Sequence, residues 1–483
     1  MSDGREARRG RPELVLFNTL GRRRQPFRPL VPGEARVYTC GPTVYNEIHI
    51  GNLRTFLFED LLRRALRYLG WRVNQVMNIT DVDDKTINGA RAAGVSLDDY
   101  TAPFIEGFLR DLDTLHVERA ERYPRATHHV PEMIALIARL LEKQVAYEAD
   151  GSVWFRLAAV PDYGKLSGFD LTQARRGERV ASDEYEKEDV RDFVLWKGAK
   201  PEEPAWDSPW GRGRPGWHIE CSAMAMKYLG ETLDLHCGGV DNIFPHHENE
   251  IAQSEAATGK PFVHTWLHSE HLIVDGEKMS KSLGNQYTLA DLLARGAAPR
   301  AIRYLLLSVH YRQKLNFTWD SLEAAAGALR RVDEMLFRLV HARESGEPIG
   351  TLGDAAETVQ RDFTAALADD LNVAEALAAV FRFVKEVNVA IEDRRLGAGD
   401  HERVIEALAD VDRVLGVLDA DEWVGQEEGG GAVPEEDIGR LVAEREAARK
   451  ARDWAAADRL RGELTALGVT VEDTPQGPRW KRG

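Results

Sequence analysis

A pair of lysines in a short, glycine-bounded segment is the part of this sequence best suited to phosphate chemistry. The segment Lys278-Met279-Ser280-Lys281-Ser282 lies between Gly276 and Gly284, and His49-Ile50-Gly51-Asn52 stands far upstream. Lysine brings positive charge to phosphate groups, and small flanking residues let a loop close over a nucleotide and exclude water. By itself the lysine segment is also compatible with a solvated surface turn. Together with the upstream segment it predicts a mobile loop that neutralises a triphosphate.

Four other side chains have the chemistry of metal ligands. His246 and Glu250 are four residues apart, a spacing that turns both side chains to one face of a helix. With Cys40 and Cys221 they could complete a tetrahedral zinc site, because zinc accepts thiolate, imidazole and carboxylate together. The alternative is that the cysteines are small buried hydrophobes and the His/Glu pair a solvated helix face. Cys237 is predicted to be an inert thiol.

The elements predicted around the upstream segment would hold it at a ligand-binding edge. Residues 37–40 predict a short strand, the apolar spacing after Asn52 predicts a helix that ends at Gly70, and residues 72–79 predict a second strand. This succession is a βαβ unit, whose ligands bind at the carboxyl ends of the strands and the amino end of the helix. His49 and Asn52 lie there, beside the positive end of the helix dipole.

The rest of the chain changes character several times. Residues 144–214 break into short strands and charged turns, which predicts an insertion within the α/β domain. Regular α/β character returns with residues 216–247, a helix that ends at Gly259 and a strand near residues 267–274. After Leu289 the chain is predicted to be nearly all helix. Residues 425–434 include three consecutive glycines, which indicate a flexible linker before a small terminal module.

Composition excludes several classes of protein. The 483 residues are too many for one hydrophobic core, and 43% hydrophobic with 29% charged residues is ordinary for a globular protein. No apolar run approaches the length that spans a membrane, and residues 1–13 are polar and Arg-rich, unlike a secretory signal. Three widely spaced cysteines argue against a disulfide framework. We therefore predict a cytoplasmic protein with no membrane partner.

The net charge of −16 mildly opposes a nucleic-acid partner, but the charge is unevenly distributed. Residues 434–483 hold ten acidic and ten basic side chains, so this terminal module is neutral in an acidic chain. Its basic residues cluster at 445–452, on a helical pattern, and at 479–482, where Trp480 could add stacking to phosphate contact. The first cluster is also compatible with a solvated helix face.

These segments, taken in order, resemble the class I cysteinyl-tRNA synthetases. The resemblance covers almost the whole chain except the first dozen residues and the glycine-rich linker. The matching segments are residues 40–45 running into 49–52, then 78–84, 216–224, 244–250, 278–282 and 472–477. The resemblance implies a Rossmann-like α/β catalytic domain, a helical bundle and a small C-terminal module.

The same resemblance implies a set of site residues. One Zn²⁺ per chain would bind the thiol of the substrate cysteine through Cys40, Cys221, His246 and Glu250. Thr80 and Trp217 match positions that line the amino-acid pocket. The remaining matches concern ATP, with which Mg²⁺ is expected. ATP binding is implied for His49, Gly51, Asn52, Asp241 and Lys281, and catalytic roles for His49, Asn52, Lys278 and Lys281.

The implied activity is ATP-dependent ligation of L-cysteine to tRNA(Cys) by a monomer. The carboxylate of cysteine would attack the α-phosphate of ATP and release pyrophosphate, and the cysteinyl group would then pass from the adenylate to the terminal adenosine of the tRNA, releasing AMP. Zinc would select the thiolate over the hydroxyl of serine. The chain departs from the usual first signature by placing Asn52 where its last His stands. An Asn amide can donate a hydrogen bond but carries no charge.

The resemblance also divides the chain into predicted domains. These are the first half of the catalytic domain (14–143), a connective insertion (144–215), the second catalytic half (216–275), the lysine loop with a stem-contact region (276–330), a helical bundle (331–424), the linker (425–434) and an anticodon-recognition module (435–483).

Two alternatives to the synthetase stay open from the sequence. Ligases that join cysteine to an amino sugar share the zinc and nucleotide motifs but lack the C-terminal RNA-binding region. An RNA-binding or regulatory paralogue without catalytic activity would have lost some of the motif residues.

Overall fold

The computed structural model describes residues 12–169, 192–280, 283–344, 351–420, 435–451, 453–466, 469–474 and 477–482. The strands, numbered in chain order, are β1 (Val15–Asn18), β2 (Arg23–Pro26), β3 (Glu34–Thr39), β4 (Arg72–Met77), β5 (Ala146–Ala149), β6 (Ser152–Phe155), β7 (Phe193–Gly198), β8 (Gly213–Pro215), β9 (Leu233–Gly239), β10 (Val263–Ser269), β11 (Leu272–Val274), β12 (Glu277–Lys278), β13 (Leu315–Phe317), β14 (Val469–Thr474) and β15 (Gly477–Arg482).

The α-helices, also numbered in chain order, are α1 (Ile50–Tyr68), α2 (Asp84–Ala93), α3 (Leu97–Thr114), α4 (Val130–Glu142), α5 (Trp217–Leu229), α6 (Glu248–Thr258), α7 (Leu289–Ala294), α8 (Pro299–Leu307), α9 (Trp319–His341), α10 (Thr351–Ala368), α11 (Val373–Glu392), α12 (Asp400–Leu415), α13 (Glu435–Lys450) and α14 (Trp454–Ala466). Among the residues described, no helix is both long enough and apolar enough to cross a bilayer.

A four-stranded parallel sheet in the order β10-β9-β3-β4 forms the centre of the α/β region. Helix α1 connects β3 to β4, which confirms the predicted βαβ unit. Alternate side chains of β3 enter different cores, because successive residues of a strand point to opposite faces. Val37 belongs to the core that α1 completes, and Tyr38 belongs to the core on the other face with α4 and α5. Helices thus cover both faces of the sheet, as in doubly wound α/β folds.

The apolar spacing of α1 explains its position against the sheet. Leu53, Leu57 and Leu61 recur every four residues and are at most 2% exposed. The same core continues through α8 and α9 into the later helices. The amino end of α1 is thereby held at the carboxyl end of β3, where the sequence placed His49.

The inserted region forms its own antiparallel sheet in the order β5-β6-β7-β8. This agrees with the short strands predicted between residues 144 and 214. Residues 170–191 of that prediction lie outside the described part of the chain. Arg214 and Lys197 both pair with Asp84 at the start of α2, so ion pairs join the inserted sheet to the α/β region.

One detail of the predicted secondary structure is wrong. The single strand predicted near residues 267–274 is two strands, β10 in the central sheet and β11 in a separate sheet with β12 and β13. The described residues from Leu289 to Leu415 are nearly all helix, as predicted, but they include the short strand β13, which pairs in parallel with β11. In β13 the buried Leu315 and Phe317 flank the exposed Asn316, the period-two pattern of a strand. Three residues are too short a run for this pattern to be visible in a helical background.

The C-terminal module has a small core of its own. Ile438 and Val442 of α13 pack with Leu464 of α14 and Val469 of the β14-β15 hairpin. Arg445, which the sequence placed in a basic cluster on a helix face, is only 5% exposed. The cluster is therefore not a uniformly solvated face.

Candidate active site

Two thiols, an imidazole and a carboxylate gather at the carboxyl end of β3. Cys40 directly follows this strand, Cys221 lies in α5, and His246 and Glu250 come from a short π-helical turn (Ile243–His247) and the first turn of α6. One donor atom from each of the four lies within 4.8 Å of the others, and all four residues are buried. Their thiols carry no disulfide. The structure thus brings together the four residues that the sequence assigned to zinc.

The spacing of these atoms fits a metal ion. Donors at 2.0–2.3 Å from a tetrahedral zinc lie about 3.3–3.7 Å from one another. Nε2 of His246 is 3.1 Å from Oε1 of Glu250, and all four donor atoms lie within 4.8 Å of one another. The donor types therefore suit zinc, and the four atoms are close enough for one ion to bind them all.

Electrostatic coupling keeps the carboxylate of this cluster ionised. Burial favours the neutral acid, but the imidazoles of His236 and His246 outweigh burial and lower the pKa of Glu250 to about 2. Burial also favours neutral His246, but the charges of Glu250 and Cys221 raise the pKa of this imidazole to about 10. In the absence of a metal ion, the ionised Glu250 and the protonated His246 therefore form a buried ion pair, and a divalent cation that binds both would displace the proton of the imidazole.

Two histidines that the sequence analysis did not single out surround the cluster. With Cys40 and Glu250 they form a second group of donors within 4.8 Å of one another. Nε2 of His236 lies 3.1 Å from Oε2 of Glu250, and Nε2 of His247 lies 3.3 Å from Sγ of Cys40. His247 continues through its other ring nitrogen to His268 at 2.8 Å. Side chains that hold metal ligands in place commonly make such contacts.

The sequence could have indicated His247, because it directly follows the predicted ligand His246. It gave no comparable indication for His236, which lies opposite Tyr38 on the neighbouring strand. Only the sheet register shows that His236 reaches Glu250.

The predicted amino-acid pocket residues lie next to the cluster. The ring of Trp217 stacks on His246 with centroids 4.2 Å apart, and its side chain is 41% exposed. Thr80 is buried and donates a hydrogen bond from Oγ1 to Oε2 of Glu220 at 3.1 Å. Glu220 was not predicted as a site residue, although it directly precedes Cys221. The site therefore has one exposed aromatic side and one buried polar side.

Close backbone contact explains the glycine after Cys40. The amide of Gly41 donates to Oδ1 of Asn78 at 3.0 Å. A Cβ at Gly41 would stand 1.7 Å from the carbonyl oxygen of Asn78, so only glycine fits. This contact brings the residues after β3 and β4 together, with Cys40 on one side and Thr80 on the other.

The first signature forms a capping box at the start of α1. His49 is the N-cap residue, and its Nδ1 accepts from the amide of Asn52 at 3.2 Å. In return, Oδ1 of Asn52 accepts from the amide of His49, also at 3.2 Å. Asn52 therefore has a structural role that its amide performs without charge.

Met279 of the lysine loop (residues 276–284) contacts the first signature (residues 49–52). Both bounding glycines have positive φ, +81° at Gly276 and +63° at Gly284, a conformation that other residues adopt at a cost. A Cβ at Gly51 would stand 2.7 Å from Cε of Met279, so the loop packs directly on the start of α1. Lys278 is exposed at the end of β12, and Lys281 lies outside the described residues.

A cavity of about 250 Å³ lies between the first signature (residues 49–52) and the residues that follow the lysine loop. It is lined by His49, by Asn46 and Glu47 before it, and by Gly284, Gln286 and Thr288 after the lysine loop. The cavity therefore lies between the amino end of α1 and the loop, where phosphates were predicted.

Asp241 lies in a turn after β9, at the same edge of the sheet. Asp241 is exposed, and its side chain packs closely on Gly239 at the end of β9. A Cβ at Gly239 would stand 2.3 Å from Oδ1 of Asp241. The carboxyl ends of β3 and β9 thus carry the predicted metal and nucleotide residues on one edge.

Three family models match successive parts of the chain. The tRNA synthetases class I (C) catalytic domain matches residues 26–327, the DALR domain matches residues 362–419, and the cysteinyl-tRNA ligase anticodon binding domain matches residues 435–480.

Curated relatives match over nearly the full length. A cysteine–tRNA ligase of Chlamydia pneumoniae is 50% identical over 473 residues, covering 97% of this chain and 98% of the relative. One of Solibacter usitatus is 50% identical over 469 residues, covering 97% and 99%.

Solved structures show the same fold at low identity. Methionyl-tRNA synthetase of Mycobacterium tuberculosis with methionyl-adenylate gives a TM-score of 0.56 at 16% identity, covering 80% of this chain and 90% of that one. The leucyl-tRNA synthetase of Agrobacterium radiobacter K84 in a ternary complex with tRNA gives 0.57 at 12% identity, covering 81% and 85%. With the family models and the near-full-length relatives, this fold leads to one conclusion: the chain belongs to the cysteine–tRNA ligase family of class I aminoacyl-tRNA synthetases.

Proposed function

We propose that this protein ligates L-cysteine to tRNA(Cys) through a cysteinyl-adenylate, using ATP and releasing pyrophosphate and AMP. The observation that carries the proposal is the buried cluster of Cys40, Cys221, His246 and Glu250 beside the exposed Trp217. Its donor chemistry suits an ion that binds a thiol-bearing substrate. The near-full-length similarity to cysteine–tRNA ligases supports the same substrates.

The four cluster residues would hold one Zn²⁺ per chain. Zinc, when bound, supplies a cation that prefers a thiolate to the neutral hydroxyl of serine. His236 and His247 orient Glu250 and Cys40 through the contacts described above. Trp217 and Thr80 would enclose the rest of the amino acid on its exposed and buried sides. A hydrophobic pocket alone discriminates similar substrates weakly, whereas a metal–thiolate contact discriminates strongly.

The amino end of α1 and the lysine loop would hold ATP, which is expected to bring Mg²⁺. His49, Gly51 and Asn52 present the helix dipole to the phosphates, and Lys278 and Lys281 would neutralise charge as pyrophosphate leaves. Asp241 would contact the ribose from the end of β9. The chain's contribution is positioning and charge stabilisation, because the carboxylate of cysteine is itself the nucleophile.

The later domains would bind the tRNA. We assign residues 276–330 to the acceptor stem, the helical bundle to support, and residues 435–483 to the anticodon, beyond the linker at 425–434. The catalytic domain would comprise residues 14–143 and 216–275, interrupted by the insertion at 144–215. The match of residues 435–480 to an anticodon binding domain supports this assignment. We further propose a monomer that works in the cytoplasm.

Charging of bulk tRNA with labelled cysteine tests the proposed function. The zinc-loaded protein is expected to charge tRNA with cysteine and not with serine, and only when ATP is present. If no tRNA is charged, cysteine-dependent pyrophosphate exchange separates the alternatives. Exchange without charging would indicate a ligase for another acceptor, such as an amino sugar, and loss of both would indicate a paralogue without catalysis.

Removal of residues 434–483 is expected to spare adenylate formation and to impair transfer to tRNA. The module has its own small core, so its loss leaves the catalytic sheet intact. Cysteine-dependent pyrophosphate exchange should stay within about twofold of the full-length chain, while kcat/KM for tRNA should fall at least about 100-fold, as expected when several base contacts are lost. Unchanged charging kinetics would contradict an anticodon role for the module.

A further inference from the structure

Arg54 of α1 donates three hydrogen bonds to backbone carbonyl oxygens. Its Nε donates to the carbonyl of Glu270 at 3.2 Å, and its Nη2 donates to the carbonyls of Gln313 at 2.5 Å and His310 at 3.4 Å. Arg54 is 2% exposed, and burial lowers its pKa to about 10, so the guanidinium stays charged at neutral pH. A charged donor makes a stronger hydrogen bond than a neutral one. Arg54 therefore fixes the position of main chain that lies far from it in sequence.

The carbonyls that Arg54 binds precede two paired strands. Glu270 lies two residues before β11, and Gln313 lies two residues before β13. The two strands pair in parallel from their first residues, Leu272 and Leu315. One guanidinium thus holds the amino ends of both strands against α1. A planar guanidinium suits this position, because its donors keep a fixed angle to one another.

Strand β11 connects this contact to Lys278. Strand β12 folds back on β11, and Ile273 lies opposite Lys278 in that pair. The turn between the two strands is also bonded to β13, since the amide of Gly276 donates to Oδ1 of Asn316 at 2.8 Å. The path from Arg54 to Lys278 therefore runs through paired strands.

Helix α1 also contacts the chain within and after the lysine loop. Gly51 packs on Met279, and the amide of Ile50 donates to the carbonyl of Tyr287 at 2.9 Å. Gly51 and Arg54 are three residues apart, which places them on one side of α1. One side of the helix thus holds the strands that lead into the lysine loop as well as the loop itself.

We propose that Arg54 is a positioning residue that sets where Lys278 meets the phosphates of ATP at the amino end of α1. This inference rests on the proposed function of the site. Without the guanidinium, β11 and β13 could shift relative to α1 and move Lys278 with them. The metal cluster would not move, because its ligands come from other elements. A small displacement of a positioned group lowers the rate of the chemical step.

The test measures cysteine-dependent pyrophosphate exchange in Arg54→Met, Lys278→Ala and the double variant. Methionine keeps part of the apolar length of arginine and removes all of its donors. Arg54→Met is expected to lower kcat about 10- to 100-fold, with KM for cysteine little changed. If Arg54 acts through Lys278, the same substitution in the Lys278→Ala background should lower kcat less than about threefold, because the effects of coupled residues are not additive.

Arg64→Met is the matched control for loss of a buried arginine from the same helix. Arg64 also donates to backbone carbonyls, those of His116 at 2.6 Å and Arg413 at 3.3 Å, but neither belongs to the strands that lead to Lys278. This variant should lose stability and keep the wild-type kcat. Elemental analysis should show wild-type zinc in every variant.

Several outcomes would overturn the inference. These are a near-normal kcat in Arg54→Met, an equal loss in the Lys278→Ala background, or an equal loss in Arg64→Met. If Arg54→Met does not fold, Arg54→Lys decides. Its single nitrogen cannot occupy both donor positions, so kcat should fall, and an unchanged kcat would overturn the inference. Absence of cysteine-dependent exchange in the wild type would instead overturn the proposed function.

Discussion

Replacing Cys221 by serine is expected to remove bound zinc and cysteine activation together. A neutral hydroxyl is a far poorer zinc ligand than a thiolate, and Cys221 supplies one of the two thiols in the buried donor cluster. Loss of a contact that merely supports a metal ligand costs 10- to 100-fold in affinity, and loss of a ligand itself should cost at least about 100-fold. Elemental analysis and cysteine-dependent pyrophosphate exchange, measured on the same preparation, check both effects.

Cys237 provides the matched control for this experiment. It is also a fully buried cysteine, but it lies within β9 in the apolar core and outside the donor cluster. Burial raises the pKa of its thiol well above the ordinary value, so it stays neutral and unreactive. Cys237→Ala should therefore keep zinc and activity while losing some stability. Full zinc in Cys221→Ser, or lost zinc in Cys237→Ala, would contradict the assignment of the ligands.

Replacing Lys281 by alanine is expected to slow cysteine activation with little effect on KM for cysteine. The contact of Met279 with Gly51 holds the lysine loop on the amino end of α1, close to the cavity between the two signatures. A lysine on this loop would stabilise charge that develops on phosphate in the transition state rather than in the ground state. Removal of one such group commonly costs about 100- to 1000-fold in kcat.

Pyrophosphate exchange at varied cysteine and ATP separates these effects. Lys260→Ala serves as the control, because its ammonium pairs with Glu231 at 2.7 Å on the surface, away from both signatures. This variant should keep the wild-type rate. A near-normal kcat in Lys281→Ala, or a loss confined to KM for cysteine, would exclude the transition-state role.

Much of the architecture was predictable because it rests on local patterns. The apolar spacing of α1 and the strands on either side specify a βαβ unit, and the structure confirms it. The four candidate metal ligands were also predicted from the sequence, although their spacing alone was compatible with buried cysteines and a solvated His/Glu pair. Their residue types, and the resemblance of successive segments to one family, identified them, and the fold brings their donor atoms together.

Other features depend on contacts between distant segments. His236 reaches Glu250 because β9 pairs with β3 in one particular register, and no local pattern specifies that pairing. Strand β11 leaves the central sheet because its partner β13 arrives some forty residues later in the chain.

The sequence by itself determined the elements, the metal-binding residue types and the family, because periodicity and motif order are properties of neighbouring residues. The tertiary structure alone decided which polar groups face one another. Thr80 contacts Glu220, and His236 contacts Glu250, only when the chain has folded. The physical reason is that a hydrogen bond acts over about 3 Å, while its partners here are separated by up to 140 residues of chain.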